Sequence, residues 1–215
     1  MDLSLSICET YTSLQGEGMH SGLPCFFIRT AGCDLRCSWC DTTHSFGPGE
    51  KRSIAQILAL IPQHIPLVQI TGGEPLLQKN IVPLMEAIHT HRGQARILLE
   101  TGGHRSLETI PVFVHIVMDI KLKGSEEASH DFAANLRFLK ATDEIKFVIA
   151  NEADFQEACE WVRKYDLIRI CNVLFSPVAG QMRPDQLAEL VLQSELPVRF
   201  QLQLHKILWG ERTGV

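Results

Sequence analysis

The chain reads as an α/β protein, a single domain over residues 1–215 built as an incomplete (β/α) barrel of about six mainly parallel strands. Three observations predict this. Apolar runs rich in Ile, Val, Leu and Phe recur without clean polar alternation, as in parallel strands covered on both faces. Helix-period segments separate them, which is the order of a parallel α/β sheet. There are too few strand–helix units to close an eight-fold barrel. An open doubly wound sheet carries the same signature.

The predicted strands are 25–30, 67–71, 96–100, 114–121, 144–149, 167–175 and 198–204. Ser53 is placed to cap a helix over 54–61, and Asn80 one over 81–91. Residues 127–139 read as helix, Asn151 with Asp154 opens another through Lys164, and Pro184 fits the first turn of a last one through Gln193. No linker, repeat or low-complexity stretch interrupts the series. In both candidate architectures the groups that do chemistry gather where strands end and loops begin. The loops after five predicted strands, at 33–40, 71–75, 101–103, Lys121 and 176–180, are therefore expected to share one mouth.

Composition narrows the function. The chain is 45% hydrophobic and 21% charged, ordinary for a globular protein. A net charge of −5 offers no broad basic surface, so nucleic acid is not an expected partner. Neither an export signal nor a membrane span is evident, and the expected setting is the cytoplasm. There, seven cysteines read as thiols or metal ligands rather than a disulfide framework.

Three of the seven lie in Cys33-Asp34-Leu35-Arg36-Cys37-Ser38-Trp39-Cys40-Asp41-Thr42. Thiolates on one short loop can converge on a single metal centre, and three of them leave it one ligand short. One reading is structural zinc with His44 as fourth ligand. The other is a [4Fe–4S] cluster whose fourth iron stays open. Cys8, Cys25, Cys159 and Cys171 fall within predicted elements or apolar runs and read as small core residues.

The Cys-x3-Cys-x2-Cys pattern with an aromatic before its last cysteine resembles the radical S-adenosylmethionine (SAM) enzymes. Thr71-Gly72-Gly73-Glu74-Pro75, directly after a predicted strand, is similar to that superfamily's Gly-Gly-Glu-Pro motif. The resemblance implies that the open iron chelates SAM and that the reduced cluster cleaves it to a 5′-deoxyadenosyl radical. It assigns SAM contacts to Gly73 and Glu74, and places Trp39 near the adenine.

Further motifs narrow the family. Leu14-Gln15-Gly16-Glu17-Gly18, Arg29, the cysteine loop ending in Asp41-Thr42, and the closing Gln203-Leu204-His205 together resemble 7-carboxy-7-deazaguanine synthases. Amide and carboxylate groups suit the edge of a pterin ring, and arginine suits a carboxylate. The resemblance implies conversion of 6-carboxy-5,6,7,8-tetrahydropterin to 7-carboxy-7-deazaguanine with loss of ammonia, in the synthesis of 7-deazapurines such as queuosine. The substrate contacts it implies are Leu14, Gln15, Gly16, Glu17, Arg29, Thr71 and His205. Thr42 matches the family's Mg²⁺ ligand, Asp119-Ile120-Lys121 stands where the family often has a SAM-contacting Ser-Pro-Lys and keeps its lysine, and the turn Ser176-Pro177-Val178-Ala179 matches another SAM contact. Implied partners are the small-molecule pterin, an electron donor such as flavodoxin or ferredoxin, and a second copy of the chain in a homodimer. A glycyl-radical activase would share the cluster and the glycine motif without needing the 15–18 or 203–205 motifs.

Overall fold

A computed structural model describes residues 3–210 and 212–215. The chain runs β1 (Ser4–Leu14), β2 (Pro24–Thr30), β3 (Glu50–Ser53), α1 (Ile54–Leu60), β4 (Leu67–Gly72), α2 (Ile81–His91), β5 (Arg96–Thr101), β6 (Val114–Ile120), β7 (Glu144–Ile149), α3 (Glu152–Tyr165), α4 (Leu167–Ile170), β8 (Asn172–Pro177), α5 (Pro184–Gln193), β9 (Arg199–Phe200) and α6 (Leu204–Trp209). All strands join one nine-stranded sheet in the order β3-β1-β2-β4-β5-β6-β7-β8-β9. Pairing is parallel from β2 onward, whereas β1 runs antiparallel to both β2 and β3. With β3 and β9 as free edges the sheet does not close, so the barrel is partial.

Helices cover one face of the sheet. Phe26, Ile28, Val68, Ile70, Ile97 and Leu99 form one core cluster with Ile57 of α1 and Leu84, Met85 and Ile88 of α2. Met118, Ile120, Ile145, Phe147, Val173 and Phe175 form a second with α3 and α5. The alternate residues face the other way. At the N-terminal end of that inner face Cys25, Phe27, Leu67 and Leu98 make a small apolar patch. Beyond it the inner face carries Gln69, Thr71, Glu100, Asp119 and Lys146, all lining a cavity. Only one face of the sheet is apolar throughout, so the expectation of two apolar faces holds on the helix side alone.

Local chemistry explains where the elements start and stop. Ser53 and Gln56 form a reciprocal capping box on α1. Asn80 precedes α2 as expected, but its side chain donates to Ser4 O at 2.9 Å instead of capping. Asn151 accepts from the Asp154 amide and starts α3. Three expectations are corrected. Residues 167–170 of the expected strand 167–175 form α4, because Asp166 turns left-handed (φ 48°) and ends α3 with Leu167 already in the core. The stretch 198–204 keeps two strand residues, since the Leu204 amide donates to Gly16 O at 2.9 Å and turns the chain into α6. The expected helix over 127–139 is a shorter 3-10 turn, Phe132–Phe138. Its Asn135 side chain donates to Gly103 O and Arg105 O and accepts from the Leu107 amide.

Candidate active site

The three cysteines of the 33–40 loop line a cavity of about 540 Å³ on the inner face of the sheet. The loop is tied down on three sides. The Glu74 amide donates to Gly32 O at 2.9 Å, joining it to the glycine motif. Asp34 takes hydrogen bonds from His104 at 2.8 Å and from Arg105. Ser38 donates to Gly124 O at 2.9 Å and, through its amide, to Ser125 O. Burial raises the thiol of Cys33, and that of Cys37 to about 11 despite the nearby Lys121. Any metal bound by these thiols has to displace those protons.

The donor set fits an iron–sulfur cluster better than zinc. A tetrahedral zinc draws its sulfurs to about 3.8 Å from one another, given Zn–S near 2.3 Å. Among the described residues, the one group of His, Cys, Asp or Glu side chains placed to share a single ion is His20, His115 and Glu144, and the three thiols do not form such a group. His44, the expected fourth zinc ligand, has its Nε2 3.3 Å from a Glu9 oxygen instead.

The glycine motif approaches the loop at van der Waals contact. A Cβ on Gly73 would lie 2.5 Å from Cys33 Cβ and 2.5 Å from Gly32 O, so only glycine leaves this cradle open. Trp39, Thr42, Gly73, Asp119, Lys121, Val178 and Ala179 all line the cavity. Asp119 pairs with Lys121 at 2.9 Å through one oxygen, and its other oxygen is buried without a partner. Such an acceptor on the wall suits an amine or hydroxyl donor, and the cysteines, Gly73 and Asp119 together fit a cluster with SAM. Three sequence assignments are corrected. The Glu74 carboxylate faces away from the cavity wall, accepting from the Thr101 hydroxyl at 2.8 Å, the Gly102 amide at 2.8 Å and the Leu76 amide at 2.9 Å. It braces the turn after β5. Ser176 and Pro177 lie beneath the surface, because the Val178 amide extends the ladder onto Ile149 O and the chain emerges only at Val178.

The opposite wall holds the residues expected to meet substrate: Leu14, Gln15, Gly16, Glu17, Arg29, Thr71 and His205 all line the same cavity. Gly16 packs on His205, whose Nδ1 would be 2.3 Å from an added Cβ. Arg29 donates to Glu9 at 2.7 Å and to the Tyr11 hydroxyl at 3.1 Å, so it is held in an ion pair as well as facing the cavity. Sequence reasoning missed Glu100, Lys146 and Gln69. Burial raises the Glu100 carboxyl, but Lys146, Arg29 and the Thr71 hydroxyl outweigh it and hold the group below its ordinary value. Burial likewise opposes the Lys146 ammonium, yet Glu100, Glu17 and Asp119 hold its pKa well above the lysine range. The available signal was a charge inside each apolar strand, since buried Glu and Lys are rare unless paired. Arg212, Thr213, Gly214 and Val215 also reach the cavity.

The His20, His115 and Glu144 cluster sits at the N-terminal ends of the strands. Arg96 Nη1 lies 3.1 Å from His20 Nε2, and Glu144 accepts from His115 at 2.7 Å and from the Met19 amide. The guanidinium supplies the positive charge there, and the cluster ties the Gly18–His20 turn to the sheet.

Comparison with known proteins identifies the family. The sequence model of the radical SAM superfamily matches residues 27–191. The chain is 39% identical to the 7-carboxy-7-deazaguanine synthase of Chlorobaculum tepidum, covering 96% of this chain and 94% of that protein. It is also 39% identical to the Koribacter versatilis enzyme of the same name, over 97% and 99%. In fold it is similar to the crystal structure of QueE from Escherichia coli, with a TM-score of 0.74 and 22% identity over 94% and 95% of the two chains. The chain therefore belongs to the radical SAM superfamily and, within it, to the 7-carboxy-7-deazaguanine synthase family, whose chemistry uses a [4Fe–4S] cluster and SAM.

Proposed function

We propose that this protein converts 6-carboxy-5,6,7,8-tetrahydropterin to 7-carboxy-7-deazaguanine with loss of ammonia. One observation carries the reading. Three clustered thiols and an opposing wall of amide, carboxylate and guanidinium groups share a single cavity. Cys33, Cys37 and Cys40 would hold the cluster, with Gly73, Trp39, Asp119, Lys121, Val178 and Ala179 beside SAM. The chemistry those groups supply when bound is homolytic hydrogen-atom abstraction.

The chain's own residues bind and orient. The guanidinium of Arg29 faces the substrate carboxylate, with Glu9 and Tyr11 fixing its direction. Gln15, Glu17 and Thr71 meet the pterin edge, while Leu14 and Gly16 shape the wall that His205 closes. The Thr42 hydroxyl, 3.8 Å from Cys40 Sγ, offers Mg²⁺ a hard oxygen donor, and such an ion keeps further positions for water and substrate oxygen. A flavodoxin or ferredoxin would deliver the electron, and the assembly would be a cytoplasmic homodimer acting on the free heterocycle. Among the described residues no helix is long and apolar enough to cross a membrane.

The test is anaerobic incubation of the cluster-reconstituted protein with SAM, reductant, Mg²⁺ and the carboxytetrahydropterin. The reading requires 7-carboxy-7-deazaguanine, 5′-deoxyadenosine and ammonia. Absence of the deazapurine overturns it. Zinc in stoichiometric amount without iron or sulfide would also overturn it.

A further inference from the structure

The wall opposite the cysteines is wired as one closed network, and its hub is a lysine. Lys146 projects from β7 into the cavity, and its side chain is only 5% exposed. It donates to Glu100 Oε1 at 2.5 Å and to Glu17 Oε2 at 2.9 Å, and lies 3.6 Å from Asp119 Oδ2. Glu100 Oε2 accepts from Gln69 Nε2 at 2.8 Å and from the Thr71 hydroxyl at 3.2 Å. Gln69 Oε1 accepts from Gln15 Nε2, and Gln15 Oε1 accepts from the Glu17 amide at 3.1 Å. Glu17 closes the ring through its amide and its carboxylate, and Gln203 Nε2 donates to its Oε1 from outside at 2.9 Å.

The lysine charge sets the bond directions at Glu17, Glu100 and Gln69, and the Glu17 amide sets that of Gln15 to match. An ammonium only donates, so both carboxylates must accept from it. Glu100, as a carboxylate, takes the amine end of Gln69, which turns the Gln69 carbonyl toward Gln15. That carbonyl takes the amine end of Gln15, and the Gln15 carbonyl then faces the Glu17 amide. Remove the ammonium and the half-buried Glu100 loses its direct ionic partner and keeps only the Arg29 guanidinium as a counter-charge. The carboxylate is then driven to take up a proton or swing away, and either change frees Gln69 to reverse and breaks its bond with Gln15, whose carbonyl the Glu17 amide still holds.

We propose that Lys146 is a positioning residue for specificity: by fixing Glu17 and Glu100 it sets the donor and acceptor order that Gln15, Gln69 and Glu17 present to the amino-pyrimidinone edge of the substrate. This rests on the pterin reading of the cavity and adds to it the device that distinguishes a 2-amino heterocycle from a 2-oxo one. A ring bearing an amine at that position meets carboxylate and carbonyl acceptors. A ring bearing an oxo group there meets acceptors with another acceptor, the costlier mismatch in a buried site.

The experiment compares the reconstituted wild type with Lys146→Met, which removes the charge, and Lys146→Arg, which keeps it. Iron content and cluster absorbance establish that each variant is loaded. Lys146→Met is expected to raise KM for the carboxytetrahydropterin at least ~30-fold, the scale set by truncating one partner of a buried charge pair, with a smaller loss in kcat. It should also erase the wild type's preference, as competitive inhibitor, for pterin-6-carboxylate over its 2-oxo counterpart. Lys146→Arg should retain that preference. If Lys146→Met does not fold, the charge-balanced pair Lys146→Met with Glu100→Gln takes its place, read by the same inhibitor preference. An unchanged KM and an unchanged preference in a loaded, folded variant would overturn the inference while the pterin reading stands. A wild type that makes no deazapurine removes the pterin reading, and this one with it.

Discussion

Single atoms decide much of this site. Gly73 is the clearest case, since its missing Cβ is the space between Cys33 and Gly32 O. Gly73→Ala should prevent cluster assembly, read as iron and sulfide per chain after reconstitution. Gly47→Ala, whose Cβ would meet nothing nearer than His44 O at 3.9 Å, should load normally. Cys37→Ala should likewise abolish the cluster's absorbance, because no other thiol of the described chain lines the cavity apart from Cys33 and Cys40. Arg29→Ala has two consequences that the sequence presents as alternatives and the structure combines. It removes a guanidinium from the cavity and leaves Glu9 without its 2.7 Å partner. The substrate KM should rise while the cluster spectrum stays intact, and loss of the spectrum would make Arg29 purely structural.

At the scale of elements, the cysteine loop is rigid because three other segments hold it, not because of its own sequence. The turn after β5 is the least obvious of these, and Asn135 organises it from within the 3-10 segment. That side chain is buried and satisfies two carbonyls and one amide of the 103–107 stretch. Asn135→Ala strands all three, and should lower stability by roughly 2–4 kcal/mol in urea unfolding, given about 1 kcal/mol or more per lost buried bond. It should also weaken cluster retention, because His104 and Arg105 leave this turn to grip Asp34. At α1 a smaller effect is expected. Ser53→Ala dismantles a capping box far from the cavity and should cost about 1 kcal/mol with no change in cluster content.

For the molecule as a whole, the charged floor trades stability for recognition. Glu100 and Lys146 meet on the inner face of the sheet, where removing one leaves the other without its direct ionic partner. Lys146→Met should therefore destabilise by about 3–5 kcal/mol, and adding Glu100→Gln should recover most of it. The pH dependence has a defined sign. The folded carboxyl of Glu100 titrates below its ordinary value, so its stabilising share is full above about pH 4.3 and is lost as pH falls through the folded value. The Lys146 ammonium titrates above its ordinary value, so its share is full below about pH 10.4 and is lost only above that. The thermal midpoint of wild type relative to the charge-balanced pair should thus hold level from about pH 5 to about pH 9 and fall in acid. A gap that first appears near neutral pH would contradict this ordering.

What the sequence could determine follows from the range of each signal. Periodicity over a few residues is local, so α2 and α5 and strands β2 and β4 through β7 were legible from it. Glycine spacing and cysteine spacing are local too, and they suffice to single out the 33–40 loop and the 71–75 turn that the structure sets side by side. Strand β1 was not legible, because Ser4-Leu5-Ser6-Ile7 and the polar run after it look like a tail until β2 and β3 pair with them on either side. The fates of Glu74 and Ser176 depend on which way a side chain turns at the end of a strand. That direction is set by ladder hydrogen bonds to residues far away in the chain. Lys146 and Glu100 show the limit most plainly. Each is visible in the sequence as a charge among the apolar residues of its strand, yet they are 46 positions apart. The parallel register of β5, β6 and β7 sets Glu100 level with Glu144, one inward-facing position short of Lys146, so that the two side chains meet in one cavity, and a buried charge is tolerated only where the fold supplies such a partner.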